Sequence, residues 1–279
     1  MTALQKTVEA AVAATLKKFV TFNLRADELA VTLVDLSAEN QFPPANHRGD
    51  AHFYPASVVK LFYLAAAHRW LEDKMIPDRP ELRRALHDMI VHSGNEATGY
   101  VLDVLTATTS GPELPPTELA AWHEKRNAVN RYFHSLGYRD INANRKTWHD
   151  GPYGRDKQAV DQFTPARNSL TTNATARLLV EMATHQWISR AHCAEMLALM
   201  ERDFADPEST DYQGREFIGA GLPPTAKLWS KAGDMSTARH DAALVELPDG
   251  KRFVLVIFTT RPDSKEIIPD IARKIIAGY

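Results

Sequence analysis

The chain is 279 residues long and 44% of its residues are hydrophobic, which allows a full buried core and excludes a disordered chain. Its 33 Lys and Arg residues nearly balance 35 Asp and Glu residues. The formal net charge of -2 excludes a global field that would attract nucleic acid or an anionic membrane, so we expect a small-molecule partner.

The N-terminal region predicts a helix followed by two strands. Apolar residues recur at helical spacing over residues 1–20 with polar residues between them, which is typical of an amphipathic helix rather than a signal peptide. Residues 29–36 alternate and are rich in β-branched side chains, so they predict a strand, and turn formers at 37–40 lead to a second strand near residues 47–53. No run is long enough to span a membrane. We expect a cytoplasmic chain as written, or a periplasmic or secreted one if a leader was removed.

Ser57 and Lys60 stand at the start of a long apolar stretch over residues 57–67. Pro55 lies just before it, which is typical of a helix start, so the helix is predicted to begin at Ser57. A spacing of three places both side chains on one face of the helix. A desolvated lysine can lose its proton near neutral pH and act as base for the serine hydroxyl, while the helix N-terminus offers N–H groups to an oxyanion. The alternative is a solvated surface pair, although a lysine on a buried helix is costly without a purpose.

Residues 68–220 predict helices and irregular loops. Ser93-Gly94-Asn95 separates two apolar helical segments, residues 86–91 and 100–105. Taken alone, this tripeptide is typical of an N-cap serine followed by a turn.

The C-terminal region predicts strands over residues 226–231, 241–247 and 252–259, with a Pro-Asp-Gly turn between the last two and a closing helix over 267–276. At the end of the first of these strands stands Lys231-Ala232-Gly233-Asp234. Here a lysine could hold a substrate carboxylate and a glycine lets a substrate backbone approach, the alternative being an ordinary exposed strand end.

Strands at both ends of the chain with helices in the middle predict an α+β fold. We expect an antiparallel sheet of about five strands flanked by helices, with an all-helical lobe inserted. The predicted lobes are residues 1–56 with 222–279, and residues 57–221, with an active site in the cleft between them.

The three short motifs, S-x-x-K, S-x-N and K-x-G, follow the order that class A β-lactamases and penicillin-binding proteins share. Three longer stretches also resemble class A β-lactamases: residues 54–67 resemble the nucleophile helix, 168–179 the helix after the Ω-loop, and 242–260 the closing hairpin. The chain thus resembles the penicillin-recognising active-serine hydrolases over nearly its whole length, which implies the β-lactamase/transpeptidase-like fold.

The resemblance implies that Ser57 is the acylated nucleophile and Lys60 its base. Ser93 would pass a proton to the leaving nitrogen, with Lys231 lowering its pKa. The backbone N–H groups of Ser57 and Asp234 would form the oxyanion hole.

Further residues are implied to contact the substrate: Asn95, Ala232, Gly233 and Arg239. For Arg239, an exposed hairpin arginine is the alternative.

The chain departs from the family where class A enzymes carry a deacylating glutamate, in a Glu-x-x-Leu-Asn stretch that it lacks. In the matching region, residues 144–155, His149 or Asp150 could orient a water, the alternative being a turn. Gly94 replaces the usual aspartate of the second motif, and Ala232 replaces a hydroxyl residue of the third. We therefore expect acylation to be intact and deacylation to be atypical.

No cofactor and no metal are expected. Cys193 is the only cysteine and lies among periodic apolar residues, so we interpret it as a buried thiol. His123 has no second histidine at metalloprotease spacing, and no glycine-rich loop could cradle a phosphate.

The expected function is hydrolysis of β-lactam-type amide bonds through an acyl-enzyme on Ser57. A DD-peptidase, an esterase or an amidase on the same fold is one alternative. A penicillin-binding sensor that acylates without turnover is another. The expected partner is a small acyl substrate, and the chain is expected to be a monomer or a dimer.

Overall fold

The computed structural model describes residues 1–37, 41–148 and 150–279. They divide into two compact units, residues 1–58 with 171–279 and residues 59–170. Within the described residues the helices are α1 (Ala3–Lys18), α2 (Lys60–Glu72), α3 (Pro80–Ile90), α4 (Asn95–Thr106), α5 (Pro116–Arg126), α6 (Ala128–Ser135), α7 (Gly154–Gln162), α8 (Thr172–Ala183), α9 (Arg190–Met200), α10 (Tyr212–Arg215) and α11 (Ile267–Gly278). The strands are β1 (Leu29–Asp35), β2 (Ala45–His47), β3 (Lys227–Met235), β4 (Ala238–Glu246) and β5 (Arg252–Thr259).

The first unit is built on one five-stranded antiparallel sheet of order β2-β1-β5-β4-β3. The N-terminal strand β1 pairs with the last strand β5, with Leu29 opposite Thr259. The predicted α+β fold with strands from both chain ends in one sheet is therefore confirmed.

Both faces of this sheet are covered within the first unit. On one face Val31 and Leu33 join a core with Val12 of α1 and Ile271 of α11. On the opposite face Thr32 donates a hydrogen bond of 2.8 Å to the Thr172 hydroxyl of α8. Burial on two faces explains why β1 is apolar at almost every position, and it corrects the alternation that we expected over residues 29–36.

The second predicted strand was placed too late in the chain. β2 covers Ala45–His47, and the backbone turns away at Arg48, whose φ is 52°. The N–H of Gly49 donates to Asn46 Oδ1 at 3.0 Å, and the N–H of Ala51 donates to the Arg48 carbonyl at 2.9 Å. These turn bonds use the backbone groups that a longer strand would need.

Residues 171–221 belong with the sheet instead of with the predicted helical lobe. The physical reason is α8, which packs on β1, β4 and β5. Helical periodicity identifies a helix but not the element on which its apolar face packs, so the sequence could not place this boundary. Cys193 of α9 is fully buried, as predicted.

The second unit, residues 59–170, is helical and packs around α2. Residues Lys60 to Ala67 at the start of α2 are all fully buried. Phe62 meets Phe133 of α6 with ring centroids 4.9 Å apart, and meets Tyr138 edge-on at 6.1 Å. The buried apolar helix predicted after Ser57 is therefore present.

None of the helices in the described ranges is long and apolar enough to cross a lipid bilayer.

We expect Phe253→Ala to lower the free energy of unfolding by about 3–5 kcal/mol, because the ring is fully buried in β5 and its removal leaves a cavity. The matched control is Phe22→Ala, because Phe22 is 48% exposed. This substitution should lower the free energy of unfolding by about 1 kcal/mol or less. Urea unfolding followed by circular dichroism measures both. Equal losses would show that Phe253 does not belong to the core.

Candidate active site

Ser57 lies in a tight turn at the end of the first unit's N-terminal segment. A single 3₁₀ turn covers Ala56–Val59, and the α-helix begins only at Lys60, so the predicted α-helical start at Ser57 is corrected by one short turn. Ala56 has a φ of 46°, and the Val58 N–H donates to the Pro55 carbonyl at 3.0 Å. The first N–H groups of such a turn have no acceptor within it, so the Ser57 amide is a suitable donor to an oxyanion. The Ser57 side chain is partly exposed.

Strand β3 passes directly against this turn at Gly233. A Cβ atom at Gly233 would lie 2.7 Å from the Pro55 carbonyl oxygen and 3.0 Å from the Ser57 nitrogen. The glycine is therefore needed for close approach of the protein's own backbone, whereas the sequence suggested approach of a substrate. Asp234 is the next residue, so its amide follows the point of closest approach to Ser57.

We expect Gly233→Ala to lower the rate of Ser57 acylation about 100-fold, because the new methyl group displaces either β3 or the serine turn by tenths of an ångström or more. The control is Gly278→Ala at the exposed end of α11, where a Cβ meets only the side chain of Thr7 at 3.1 Å. Stopped-flow acylation rates measure both variants. A Gly233→Ala protein that acylates at the native rate would show that this approach does not position Ser57.

His240 holds the same turn from the neighbouring strand, and no sequence pattern pointed to it. Its Nε2 lies 2.8 Å from the Tyr54 carbonyl, and its Nδ1 accepts from the Thr259 N–H at 3.1 Å. These partners select the neutral ring with the proton on Nε2. Burial lowers the pKa of His240 to about 4, so the ring stays neutral at physiological pH. His240 thus links the segment before Ser57 to β4 and β5.

Lys231 is fully buried within β3. This excludes the alternative interpretation, in which Lys231 would stand at an ordinary exposed strand end. Its ammonium donates to Gln213 Oε1 and, at 2.7 Å, to the carbonyl of Ala232. Asp241, opposite Ala232 on β4, is also buried; desolvation raises its pKa to about 6, against two backbone N–H donors that favour the carboxylate. Ala232 itself is buried and contributes no hydroxyl.

Arg239 is a buried side chain rather than an exposed hairpin arginine. Its guanidinium bonds Asp234 Oδ2 at 2.9 Å and the Glu216 carbonyl at 3.0 Å. It also lies 3.9 Å from the centre of the Phe217 ring. In this structure Arg239 therefore fixes Asp234, whose side chain is 39% exposed, beside the third motif.

In the second unit, Lys60 meets two predicted residues of the second motif. Its Nζ lies 2.6 Å from the Ser93 carbonyl, 3.2 Å from Ser93 Oγ and 2.9 Å from Asn95 Oδ1. Lys60 is fully buried, and this desolvation lowers the pKa of the amine to about 7, although the charge of Glu96 opposes the shift. A neutral amine is thus available near physiological pH, as the S-x-x-K motif suggested.

The turn between α3 and α4 presents Ser93 and Asn95 to this amine. Ser93 has a φ of 56°, in the left-handed region, and the Gly94 N–H donates to the Asp88 carbonyl at 2.9 Å. Gly94, not Ser93, occupies the N-cap of α4 and makes no side-chain cap bond. The serine hydroxyl therefore does not serve as the N-cap that the sequence offered as an alternative.

The two deacylation candidates follow Trp148 in the chain. His149 lies outside the described residues. Asp150 is exposed. The preceding segment is braced by Arg145, whose backbone N–H donates to Asn168 Oδ1 at 2.9 Å and whose carbonyl accepts from Tyr63 at 2.7 Å. This bracing is structural, and the sequence did not reveal it.

The described part of the second unit also holds a surface group of possible metal ligands, His87, Asp88 and His92, whose ligand atoms lie within 4.8 Å of one another. All three side chains are exposed or half-buried. None of them is a hydrogen-bond partner of Lys60 Nζ, which bonds Ser93 and Asn95. The group adjoins the second motif, since His92 directly precedes Ser93 and the Asp88 carbonyl accepts from the Gly94 N–H at 2.9 Å.

Comparison with known proteins identifies relatives of this chain. The model of the beta-lactamase enzyme family matches residues 71–279. No curated protein sequence matches the chain. A β-lactamase from Sphaerobacter thermophilus is 21% identical with a TM-score of 0.67, covering 97% of this chain and 96% of that one. A β-lactamase from Chitinophaga pinensis is 18% identical with a TM-score of 0.65, covering 99% and 98%. A variant of PBP-A in an acyl-enzyme complex with penicillin G is 19% identical with a TM-score of 0.66, covering 99% and 96%. At these identities the structural likeness shows the fold.

Proposed function

The chain belongs to the beta-lactamase enzyme family, and on that premise we propose that it hydrolyses a β-lactam-type amide through an acyl-enzyme on Ser57. The observation that carries the proposal is Lys60, a buried amine with a pKa of about 7 that is bonded to Ser93 and Asn95. An ordinary surface lysine has neither the burial nor the lowered pKa. The left-handed backbone of Ser93 and the close approach of Gly233 to Ser57 support the same conclusion.

Acylation is proposed to begin when the neutral Lys60 amine takes the proton of the Ser57 hydroxyl. The serine oxygen bonds to the substrate carbonyl carbon, and the resulting oxyanion accepts from the N–H groups of Ser57 and Asp234. The carbon–nitrogen bond then breaks as Ser93 delivers its hydroxyl proton to the leaving nitrogen, and the Lys60 ammonium, 3.2 Å from Ser93 Oγ, returns the proton taken from Ser57 to Ser93. Lys231 would support the anionic form of Ser93 by its charge.

Substrate binding is proposed to use Asn95 on one side and Ala232 with Gly233 on the other. The buried Ala232 offers no hydroxyl to a substrate carboxylate. Because the Arg239 guanidinium already bonds Asp234 and Glu216, we propose that it acts on the substrate through Asp234. A substrate without a strongly held carboxylate fits these residues best.

Deacylation is proposed to be slow or to follow an atypical route. The chain lacks the family's Ω-loop glutamate by pattern. Asp150 and His149 are the proposed bases, and Asp150 is exposed to solvent. The PBP-A variant in an acyl-enzyme complex with penicillin G supports the proposal that a related fold can hold an acyl group long enough to be observed.

The acylation rate is expected to rise about tenfold per pH unit below pH 7 and to level off above it, since only the neutral Lys60 amine accepts the serine proton and its pKa is about 7. Stopped-flow acylation between pH 5.5 and 8.5 measures the profile. A rate that is flat or falls through pH 7 would show that a different group is the base.

The experiment that tests the proposed function follows the intact protein by mass spectrometry after mixing with penicillin G and with a chromogenic cephalosporin, alongside product absorbance. A transient adduct with steady product release supports a β-lactamase. A persistent adduct without turnover supports the penicillin-binding sensor or peptidase alternative. No adduct with either compound, but turnover of D-Ala-D-Ala peptides or small esters, supports a DD-peptidase, an esterase or an amidase.

A further inference from the structure

One face of α4 lines two adjoining cavities in the second unit. The first cavity, of about 410 Å³, is bordered by Asn95, Gly99 and Tyr100. The second, of about 720 Å³, shares Tyr100 and Asp103 with the first and continues to Ala107. Because residues three and four apart lie on one helix face, these residues form a continuous surface, the α4 groove.

The α4 groove is long compared with a compact acyl group. It follows the helix from Asn95 to Ala107, which is about 18 Å at 1.5 Å per residue. An extended peptide covers about 3.3–3.6 Å per residue, so about five residues would occupy the groove. Both cavities also lie within the size range of small-molecule sites.

The near end of the groove lies at the proposed chemistry. Asn95, which borders the first cavity, accepts a hydrogen bond from Lys60 Nζ at 2.9 Å. An acyl group whose carbonyl carbon reacts with the help of Lys60 would therefore enter the groove at this end.

The first cavity offers contacts for the side chains of a peptide and for its backbone. The rings of Trp148 and Tyr153 line it and meet edge-on with centroids 5.7 Å apart. The hydroxyl of Thr147 is buried and has no hydrogen-bond partner among the described residues, although a buried hydroxyl normally has one. Lys146 Nζ donates to the Ser110 hydroxyl at 2.8 Å and pairs with the Asp103 carboxylate. This lysine therefore adds no unpaired positive charge to the cavity lining.

The far end of the groove carries unpaired positive charge. Lys125 and Arg155 line the second cavity, and neither has a carboxylate partner within the part of the chain that the structure describes. Glu118 is the only free carboxylate among the described residues that line the second cavity, because Asp103 is paired with Arg126 at 2.9 Å. Two cations against one carboxylate favour an anionic group at this end.

We propose that the α4 groove binds the acyl arm of a peptide-type substrate of about five residues, with a carboxylate at Lys125 and Arg155. The proposal rests on the proposed function for the reaction, whereas binding of the arm requires no reaction. The arm would extend the acyl side of the amide that Ser57 is proposed to attack.

The test uses the Ser57→Ala protein, which cannot be acylated, and three methyl esters: an N-succinyl tetrapeptide of Gly and Phe, its N-acetyl counterpart, and N-succinyl-Phe. Isothermal titration calorimetry measures each Kd. We expect the succinyl tetrapeptide to bind at least about tenfold more tightly than succinyl-Phe and about fivefold more tightly than the acetyl tetrapeptide, since an exposed ion pair contributes about that factor. The fivefold preference should disappear in about 0.5 M salt.

The same preference should disappear in Lys125→Gln with Arg155→Gln, whereas Lys74→Gln, an exposed lysine outside both cavities, should keep it. Equal Kd values for the three esters would overturn the proposal. A fourth probe, a decanoyl methyl ester, would also overturn it if it bound more tightly than the succinyl tetrapeptide. Failure of the native protein to form any adduct would remove the proposed function but leave a length-dependent Kd as support for the groove. An adduct on Ser57 together with Kd values that do not depend on peptide length would support the proposed function and overturn the proposal for the α4 groove.

Discussion

Ser57→Ala is expected to abolish covalent labelling and to lower turnover by at least about 10⁴-fold while the protein stays folded. The variant lacks the oxygen that would bond to the substrate carbonyl carbon, so no acyl-enzyme can form. Loss of a nucleophile that acts with its base costs about 10⁶ in kcat in the best-studied serine hydrolases, and the oxyanion donors account for the remainder. Cephalosporin hydrolysis and intact mass measure the two effects.

The control is Ser135→Ala, which removes an exposed hydroxyl bonded to the Tyr132 carbonyl in α6. It should label and turn over at the native rate. Because the Ser57 side chain is only partly buried, its removal should not change the thermal unfolding midpoint noticeably. Labelling of the Ser57→Ala protein at the native rate would contradict the assignment of Ser57 as the nucleophile.

Lys60→Met is expected to lower the acylation rate by about 10²–10⁴-fold, the range that a positioned general base contributes. Methionine is similar in length and apolar, so it suits a fully buried position, but it cannot accept a proton. Stopped-flow acylation measures the loss. The matched control is Lys60→Arg, which keeps a cation beside Ser93 and Asn95 but stays protonated at all accessible pH values.

The two variants separate a base from a structural cation. If Lys60 only holds Ser93 and Asn95 in place by its charge, Lys60→Arg should retain most of the activity. If Lys60 is the base, both variants should lose it. An active Lys60→Arg protein would therefore contradict the proposed role.

Lys60 also predicts how stability depends on pH. Its folded pKa of about 7 lies below the ordinary value of 10.5, so between these values the unfolded chain binds more protons than the folded chain. The native protein should therefore become more stable as pH rises from about 7 to 9, and the Lys60→Met protein should lack this part of the rise. Thermal unfolding midpoints of both proteins across this range test the sign.

The sheet was the part of the fold that the sequence predicted best. β5 has the predicted bounds, and the Pro-Asp-Gly turn before it places Gly250 at a φ of 86°, a conformation that glycine adopts without strain. A period of two along a strand and the residues of a turn are local signals, so they can be interpreted without knowledge of the rest of the chain. β2 was misplaced because its end depends on the turn at Arg48, where a non-glycine residue adopts a positive φ.

The residues of the proposed site come from the sequence motifs, whereas the contacts that hold them in place come from the folded structure. The three motifs predict roles for Ser57 with Lys60, for Ser93 and for Lys231, because their residue types carry the chemistry. His240 escaped notice because its role depends on Tyr54, a residue remote in sequence that only the folded sheet brings within 2.8 Å. The lowered pKa of Lys60 was suggested by the apolar residues around it, since burial of an amine has a predictable sign.

The α4 groove shows a further limit of sequence reasoning. Helical spacing puts Asn95, Gly99 and Asp103 on one face of α4, but it does not show whether that face is covered. The position of the loop before α5 decides this. Gly154, with a φ of 49°, lies so close to Gly111 that no side chain fits between them.

The assignment of Ser57 as the nucleophile is most directly tested by locating the acyl group after labelling with penicillin G. Trypsin cuts after Arg48 and Lys60, and the peptide of residues 49–60 contains Ser57 as its only serine. We expect the penicilloyl mass on this peptide in the native protein and nowhere in the digest of the Ser57→Ala protein. An adduct on any other peptide, or equal labelling of both proteins, would contradict the assignment.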